Sequence, residues 1–269
     1  MLEKLNKLRQ LIGNTPLVSI DKLGYQLFAK LEGYNFTGSA KDRPAMHIIE
    51  KGIKSGKIGP DTLIVESSSG NFAIALGTIC RMLGLKFTAV IDKNINPVNE
   101  RLLRVLCHDV KKITIPDETG GHLLNRVKKV KSILANTPDS FWPNQYSNPL
   151  NAEAHYQGSG EEICQALDRV DYYFVTVSSG GTVTGTSQRI KKQYPNAKVI
   201  AVDSVGSVIF GGPPRPRPIP GMGSSMRPPI LDNAIIDEVI YVDEIETVKG
   251  CHKLLNDYGL FLGLSLIHI

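Results

Sequence analysis

Short apolar runs alternate with stretches of helical periodicity along most of this chain. Of all the features of the sequence, this alternation constrains the possible folds most strongly. Strands are predicted at 63–66, 87–91, 111–115, 173–177 and 198–202, with another ending at 242. Helices are predicted at 71–83, 97–106, 122–135, 151–167, 185–194 and 243–258. Such alternation is typical of parallel sheets covered by helices on both faces, so the predicted fold class is α/β.

The two ends of the chain add fewer elements. The pattern predicts a helix at 2–11, a turn at 12–16, strands at 17–20 and 26–31, and a helix at 41–54. Residues 211–229 are rich in Pro, Gly and Arg and are predicted to form an irregular loop. An apolar strand is expected from Leu260, and 264–269 is interpreted as a foreign tail on a truncated domain.

Charge and cysteine content exclude several classes of function. The net charge is +5 over 269 residues, and the most basic tract, 126–131, has helical spacing, so no nucleic-acid partner is expected. The four cysteines lie far apart, which predicts reduced thiols in a cytoplasmic protein and no metal site. No apolar run is long enough for a bilayer, so no membrane partner is expected.

Three polar segments follow predicted strands and open predicted helices, where ligands bind in parallel sheets. Ser67–Asn71 and Ser178–Thr182 offer hydroxyls, glycines and backbone N–H groups suited to anions. Lys41 stands at a helix start, and a lysine beside anion-binding loops can act as a Schiff-base nucleophile. Taken singly, each has a simpler interpretation: a helix cap, tight packing of glycines, or a solvated lysine.

Taken together, the segments resemble a known family. Ile12-Gly13-Asn14-Thr15-Pro16-Leu17-Val18, Gly38-Ser39-Ala40-Lys41-Asp42-Arg43, Ser69-Gly70-Asn71 and Ser178-Ser179-Gly180-Gly181-Thr182 occur in the order and spacing of the cysteine synthase and cystathionine β-synthase family. These are pyridoxal phosphate (PLP) enzymes of fold type II. The resemblance implies a homodimer of chains with two three-layer α/β/α domains and mostly parallel sheets, similar to the tryptophan synthase β-subunit. Residues 1–41 with 149–269 would form the large PLP-phosphate-binding domain, C-terminally incomplete, and 42–148 a small mobile substrate domain.

The resemblance also implies roles for particular residues. Lys41 would be the catalytic lysine, which carries PLP covalently and later moves the α-proton of the substrate. The cofactor would be bound by Asn71 at its ring hydroxyl, by Ser178, Ser179, Gly180, Gly181 and Thr182 at its phosphate, and by Ser265 at its ring nitrogen. The substrate carboxylate would be bound by Ser68, Ser69 and Gly70, with Gln145 nearby.

A subgroup of the family suggests the reaction. Asn144-Gln145-Tyr146, His155-Tyr156, Ser178-Ser179 and 202–211 resemble enzymes that join O-phospho-L-serine to the amine of L-glutamate, a siderophore precursor step. Two anionic amino-acid substrates require cations, so Arg126 is the first candidate and Arg227 the second, with Tyr156 as a hydroxyl partner. Each arginine could instead form a surface salt bridge, and His155 could be a core histidine.

Other functions are open at this point. An O-acetylserine or O-phosphoserine sulfhydrylase would use the same segments, although Phe72 departs from the pattern of common cysteine synthases. A non-catalytic relative or an inactive fragment is the alternative of another class. An NAD-binding Rossmann domain is not supported, because Gly180, Gly181 and Gly185 do not have the required spacing.

Overall fold

A computed structural model describes residues 1–20, 24–118 and 121–263. The helices are α1 (Leu2–Arg9), α2 (Asp42–Lys54), α3 (Asn71–Leu83), α4 (Pro97–Leu106), α5 (Leu123–Ala135), α6 (Pro149–His155), α7 (Glu161–Ala166), α8 (Gly181–Gln193) and α9 (Glu244–Tyr258). The strands are β1 (Leu17–Ser19), β2 (Phe28–Lys30), β3 (Leu63–Ser67), β4 (Lys86–Asp92), β5 (Asp109–Ile113), β6 (Ser140–Phe141), β7 (Tyr172–Thr176), β8 (Lys198–Ser204) and β9 (Glu238–Val242). Short 3-10 helices lie at Glu32–Tyr34 and Pro229–Asn233.

The chain divides into two compact units. Unit 1 comprises Met1–Ile12 and Lys41–Asn144, and unit 2 comprises Gly13–Ala40 and Gln145–Ile269. Both units combine a parallel sheet with α-helices, which confirms the predicted α/β class. None of the helices in the described ranges is both long and apolar enough to cross a membrane.

Unit 1 is built on a four-stranded sheet of order β5-β4-β3-β6, in which each neighbouring pair is parallel. Alternate β4 side chains point to opposite faces. Val90 lies in a core cluster with Val130 of α5, whereas Phe87 faces α3 at Gly77. The sheet is therefore covered by helices on both faces, and the carboxyl ends of β3 and β4 remain open to the loops that follow them.

Unit 2 contains a three-stranded parallel sheet of order β7-β8-β9 and an antiparallel hairpin of β1 and β2. Val175 and Val199 of this sheet pack against Ile163 of α7 and Ile190 of α8 in one buried cluster. The hairpin has a second cluster, in which Ala29 contributes to a core shared with α9. Because β7 and α8 both contribute to the first of these clusters, the loop that joins them is anchored at both ends.

Most predicted elements are confirmed, and the exceptions are informative. The single helix predicted at 151–167 is wrong: α6 and α7 are separated by a π-helical segment, Tyr156–Gly160. Helix α8 begins four residues before the predicted start and β5 two residues before, and the short strand β6 was not predicted. Residues 260–263 are not a strand, so that expectation is also wrong for the described residues. The tail at 264–269 lies outside the described residues.

Candidate active site

Lys41 directly precedes α2 and is its N-cap residue. Its carbonyl oxygen accepts a hydrogen bond from the backbone N–H of Ala45 at 3.1 Å, which closes the first turn of the helix. Ile48 and Ile49 in the same helix are fully buried, so the helix is anchored along its apolar face. The half-buried lysine is therefore carried on a rigid element, as precise chemistry requires.

The segment between β3 and α3 has the properties of a small anion site. The Oγ of Ser68 accepts a hydrogen bond from the backbone N–H of Ala73 at 3.2 Å, so this serine caps the start of the helix. A Cβ added to Gly70 would meet nothing within 4 Å, and Asn71 is exposed. Open space therefore adjoins the N-terminus of α3, whose free N–H groups favour an anion.

Ser69 lies in a cluster of polar contacts within unit 1. The Nη1 of Arg126 donates a hydrogen bond to the Oγ of Ser69 at 2.9 Å and lies 3.2 Å from the Oδ2 of Asp92. Ser69 and Arg126 were both predicted to bind substrate, and the structure brings these two predicted residues together. Asp92 was not predicted, although its position at the end of β4 could have indicated it.

In unit 2, Ser178–Thr182 joins β7 to α8. Gly180 has a φ of 88°, a left-handed conformation that favours glycine. A Cβ at Gly180 would lie 2.8 Å from side-chain atoms of both Ile230 and Leu231. The Oγ of Ser178 donates a hydrogen bond to the carbonyl oxygen of Gly223 at 3.2 Å. The loop therefore holds a defined shape at the N-terminus of a long helix, where unpaired N–H groups attract an anion.

Two glycines of this region also serve packing, which was the simpler interpretation. A Cβ at Gly181 would lie 2.0 Å from Oδ1 of Asn151, and one at Gly185 would lie 2.0 Å from the carbonyl oxygen of Ala152. Helix α8 therefore crosses α6 at very close range. The side chain of Asn151 also donates a hydrogen bond to the carbonyl oxygen of Gln145 at 2.7 Å, which ties that predicted residue to the same contact.

His155 is a core histidine, as its simpler interpretation predicted, and it supports the loop. It is 1% exposed, with Nδ1 3.2 Å from the Oγ of Ser159 and Nε2 3.3 Å from Oγ1 of Thr182. Tyr156, half-buried, opens the π-helical segment. Sequence reasoning missed the contact of His155 with Thr182, because residues 27 positions apart give no local signal of proximity.

The second candidate arginine forms a surface ion pair. Nη2 of Arg227 lies 3.1 Å from Oδ1 of Asp232, and the side chains are 49% and 70% exposed. Exposed pairs of this kind stabilise little, and the contact supports the salt-bridge interpretation of Arg227. Ser265 lies outside the described residues.

These residues fit PLP. The segment that follows β7 has the groups that bind a phosphate: a glycine in the left-handed conformation, hydroxyls and the N-terminus of the 13-residue helix α8. Lys41 at the start of α2 has an amine of the kind that an aldehyde cofactor requires.

Comparison with known proteins identifies the class. Residues 8–265 match the family described as "Pyridoxal-phosphate dependent enzyme", and the chain belongs to this family. PLP is accordingly the cofactor of this enzyme.

Individual relatives narrow the comparison. The N-(2-amino-2-carboxyethyl)-L-glutamate synthase of Ralstonia nicotianae is 47% identical over 259 residues, which cover 94% of this chain and 77% of the relative. The protein of the same name from Cupriavidus metallidurans is 44% identical over 265 residues, covering 97% and 78%. Among solved structures, the O-acetylserine dependent cystathionine beta-synthase from Helicobacter pylori has a TM-score of 0.87 at 32% identity, covering 96% of this chain and 85% of that one.

Proposed function

We propose that this protein joins O-phospho-L-serine to the amine of L-glutamate, giving N-(2-amino-2-carboxyethyl)-L-glutamate as a siderophore precursor. The observation that carries the proposal is the 47% identity, across 94% of the chain, to a synthase that bears this product in its name. In the reaction the carbon–oxygen bond to the phosphate breaks and a carbon–nitrogen bond to glutamate forms. Phosphate leaves, and the attacking amine loses a proton.

The residues of unit 1 would bind and activate the amino acid. Ser68, Ser69 and Gly70 would hold the carboxylate of phosphoserine at the start of α3, while Arg126 offers positive charge beside Ser69. The amine of Lys41 would hold the cofactor, take the α-proton of the substrate and return it after the new bond has formed. When bound, PLP supplies an electron sink for the negative charge that develops at the α-carbon. Asn71 would donate to its ring hydroxyl.

The residues of unit 2 would hold the cofactor phosphate. Ser178, Ser179, Gly180, Gly181 and Thr182 would supply backbone N–H groups and hydroxyls, with the positive end of α8 favouring the charge. Gln145 would lie near the substrate carboxylate and Tyr156 would offer a hydroxyl. We assign the phosphate-binding role to the large domain, 1–41 with 149–269, and the substrate role to 42–148. The two compact units described above differ from these bounds in that 1–12 and Lys41 belong to unit 1 and 145–148 to unit 2. A homodimer in the cytoplasm is also part of this proposal.

Turnover with defined nucleophiles tests the proposal. The holoenzyme is incubated with O-phospho-L-serine and either L-glutamate or sulfide, and the products are separated by mass. We expect the glutamate adduct and release of phosphate. Cysteine formed from sulfide, with no glutamate adduct, would replace the proposal with a sulfhydrylase, and a protein that binds no PLP would be a non-catalytic relative.

Variants of two lysines test the role of Lys41. Lys41→Ala should abolish turnover and the visible absorbance of the covalently held cofactor, because the substitution removes the amine that would bond to the aldehyde. Lys57→Ala is the matched control, since Lys57 is exposed and lies beyond the end of α2. Activity retained in Lys41→Ala would remove Lys41 from the mechanism.

A further inference from the structure

Asp92 connects the elements that surround Ser69. Its Oδ2 accepts a hydrogen bond from the Oγ of Ser69 at 3.2 Å, and its backbone N–H donates to the same Oγ at 3.3 Å. Its Oδ1 accepts a hydrogen bond from the backbone N–H of Asn94 at 2.9 Å. With the contacts of Arg126 Nη1 to Ser69 and Asp92, the three side chains form a closed triangle. A serine hydroxyl has one donor and two acceptor sites, and Ser69 uses all three.

The triangle leaves one buried polar atom of the guanidinium unpaired within the part of the chain that the structure describes. Nη1 of Arg126 is held by Ser69 and Asp92, whereas Nε is buried and has no hydrogen-bond partner among the described residues. The side chains of Arg126 and Asp92 are only 12% and 14% exposed, so both are held in place. An unpaired buried donor is costly, and the Nε edge of a guanidinium matches a carboxylate or phosphate.

The geometry points to Asp92 as a positioning residue that orients Arg126 for the anionic amino-acid donor, an inference that rests on the proposed function. O-phospho-L-serine carries its carboxylate and phosphate on one three-carbon skeleton, so a cation bonded to the carboxylate-binding loop can reach the same molecule. Asp92 acts through Arg126, because its carboxylate fixes the guanidinium against Ser69. Without it, a long and flexible side chain would have to be ordered by the substrate itself.

Binding to the holoenzyme tests this role. Asp92→Asn keeps the shape of the side chain and removes its charge. The dissociation constant for the phosphonate analogue of O-phospho-L-serine, whose methylene in place of the ester oxygen prevents loss of phosphate, should rise about tenfold by calorimetry, the size expected for losing one orienting charge-assisted contact. In steady-state assays KM should rise in parallel while kcat stays within about threefold, since the contact serves binding. Asp109→Asn is the matched control: Asp109 pairs with Lys111 at 2.7 Å on the neighbouring strand, and its substitution should leave both constants unchanged.

Repeating Asp92→Asn in a protein that already lacks Arg126 distinguishes a positioning role of Asp92 from a structural one. In Arg126→Met protein, Asp92→Asn should change the dissociation constant less than about twofold, because residues that act through one another are non-additive. Equal weakening in both backgrounds, or no weakening with Arg126 present, would overturn the inference. If Asp92→Asn does not fold, Asp92→Ser retains an acceptor for the Asn94 N–H and repeats the comparison.

The Arg126 Nε–H signal in a nitrogen–proton NMR spectrum gives a readout that does not depend on turnover. A fixed, buried Nε–H exchanges slowly with water, so the signal should be sharp in the natural protein and broadened or lost in Asp92→Asn. An unchanged signal would refute the positioning role. Failure of the natural protein to make the glutamate adduct would refute the proposed function instead, and the NMR comparison would still decide the role of Asp92.

Discussion

Replacing Gly185 with alanine tests the close crossing of α6 and α8. The added Cβ would lie 2.0 Å from the carbonyl oxygen of Ala152, 2.7 Å from the backbone N of Tyr156 and 2.9 Å from the Cβ of His155. Two of these atoms belong to the backbone of the facing helix, so no side-chain rotation can relieve the overlap. The two helices would have to move apart.

The expected change in the free energy of unfolding for Gly185→Ala is the sum of two opposing contributions. Overpacking a tightly packed contact of this kind costs about 3 kcal/mol, at the upper end of the usual range. Alanine in a helix regains about 1 kcal/mol relative to glycine. The free energy of unfolding should therefore fall by about 2 kcal/mol, which corresponds to a Tm lower by about 4–8 °C for a chain of this size.

Gly250 supplies the matched control for this measurement. It lies within α9, and a Cβ there would meet nothing within 4 Å. Gly250→Ala should therefore raise the free energy of unfolding by about 0.5–1 kcal/mol. Both variants are compared with the natural protein in urea, followed by circular dichroism at the helix band. The reasoning fails if Gly185→Ala is as stable as the natural protein, or if the two substitutions have the same sign.

Three local interactions give further predictions. The Oδ1 of Asp243 accepts a hydrogen bond from the backbone N–H of Ile245 at 2.7 Å and caps α9. Asp243→Ala should therefore lower the free energy of unfolding in urea by about 1 kcal/mol, and no loss would exclude a capping role. Hydrogen bonds from the Lys191 side chain and a backbone N–H lower the pKa of Asp237, so its contribution is present above the ordinary Asp pKa and is lost as pH falls through the lowered value. Asp237→Asn should therefore destabilise the protein at pH 6 and make little difference in strong acid; an equal effect at both pH values would contradict this. Burial raises the pKa of the Cys80 thiol, so a thiol reagent at pH 8 should label Cys80 only after the protein unfolds. If Cys80 in the folded protein reacted as fast as a solvent-exposed cysteine, its burial would be refuted.

The sequence predicts elements best where the signals for a boundary are local. Helix α9 starts after the capping Asp243 and ends before Gly259, whose φ is 67°, as the residue types indicated. Helix α8 starts earlier than predicted because Thr182 and Val183 have weak helix propensity, and packing of Gly181 against Asn151 overrides it.

In the candidate site, too, the sequence predicts the local features but not the contacts between distant residues. The loop positions and the candidate Arg126 could be read from residue types and spacing. The link from Arg126 to Ser69 spans 57 positions, and it arises because α5 packs against β3 and β4 in the folded unit. Asp92 belongs to this link, and only the folded chain shows what it holds.

The π-helical segment at Tyr156–Gly160 sets the rotational phase between α6 and α7. A regular helix turns by about 100° per residue, so the wider turn changes which side of the later helix faces inward. Ile163 and Cys164 are buried with this segment in place. Winding the same five residues as a regular helix would rotate the later turns by roughly the angle of one residue, about 100°, and turn both side chains away from the sheet. The irregular turn therefore keeps the buried faces of α6 and α7 directed at the same core.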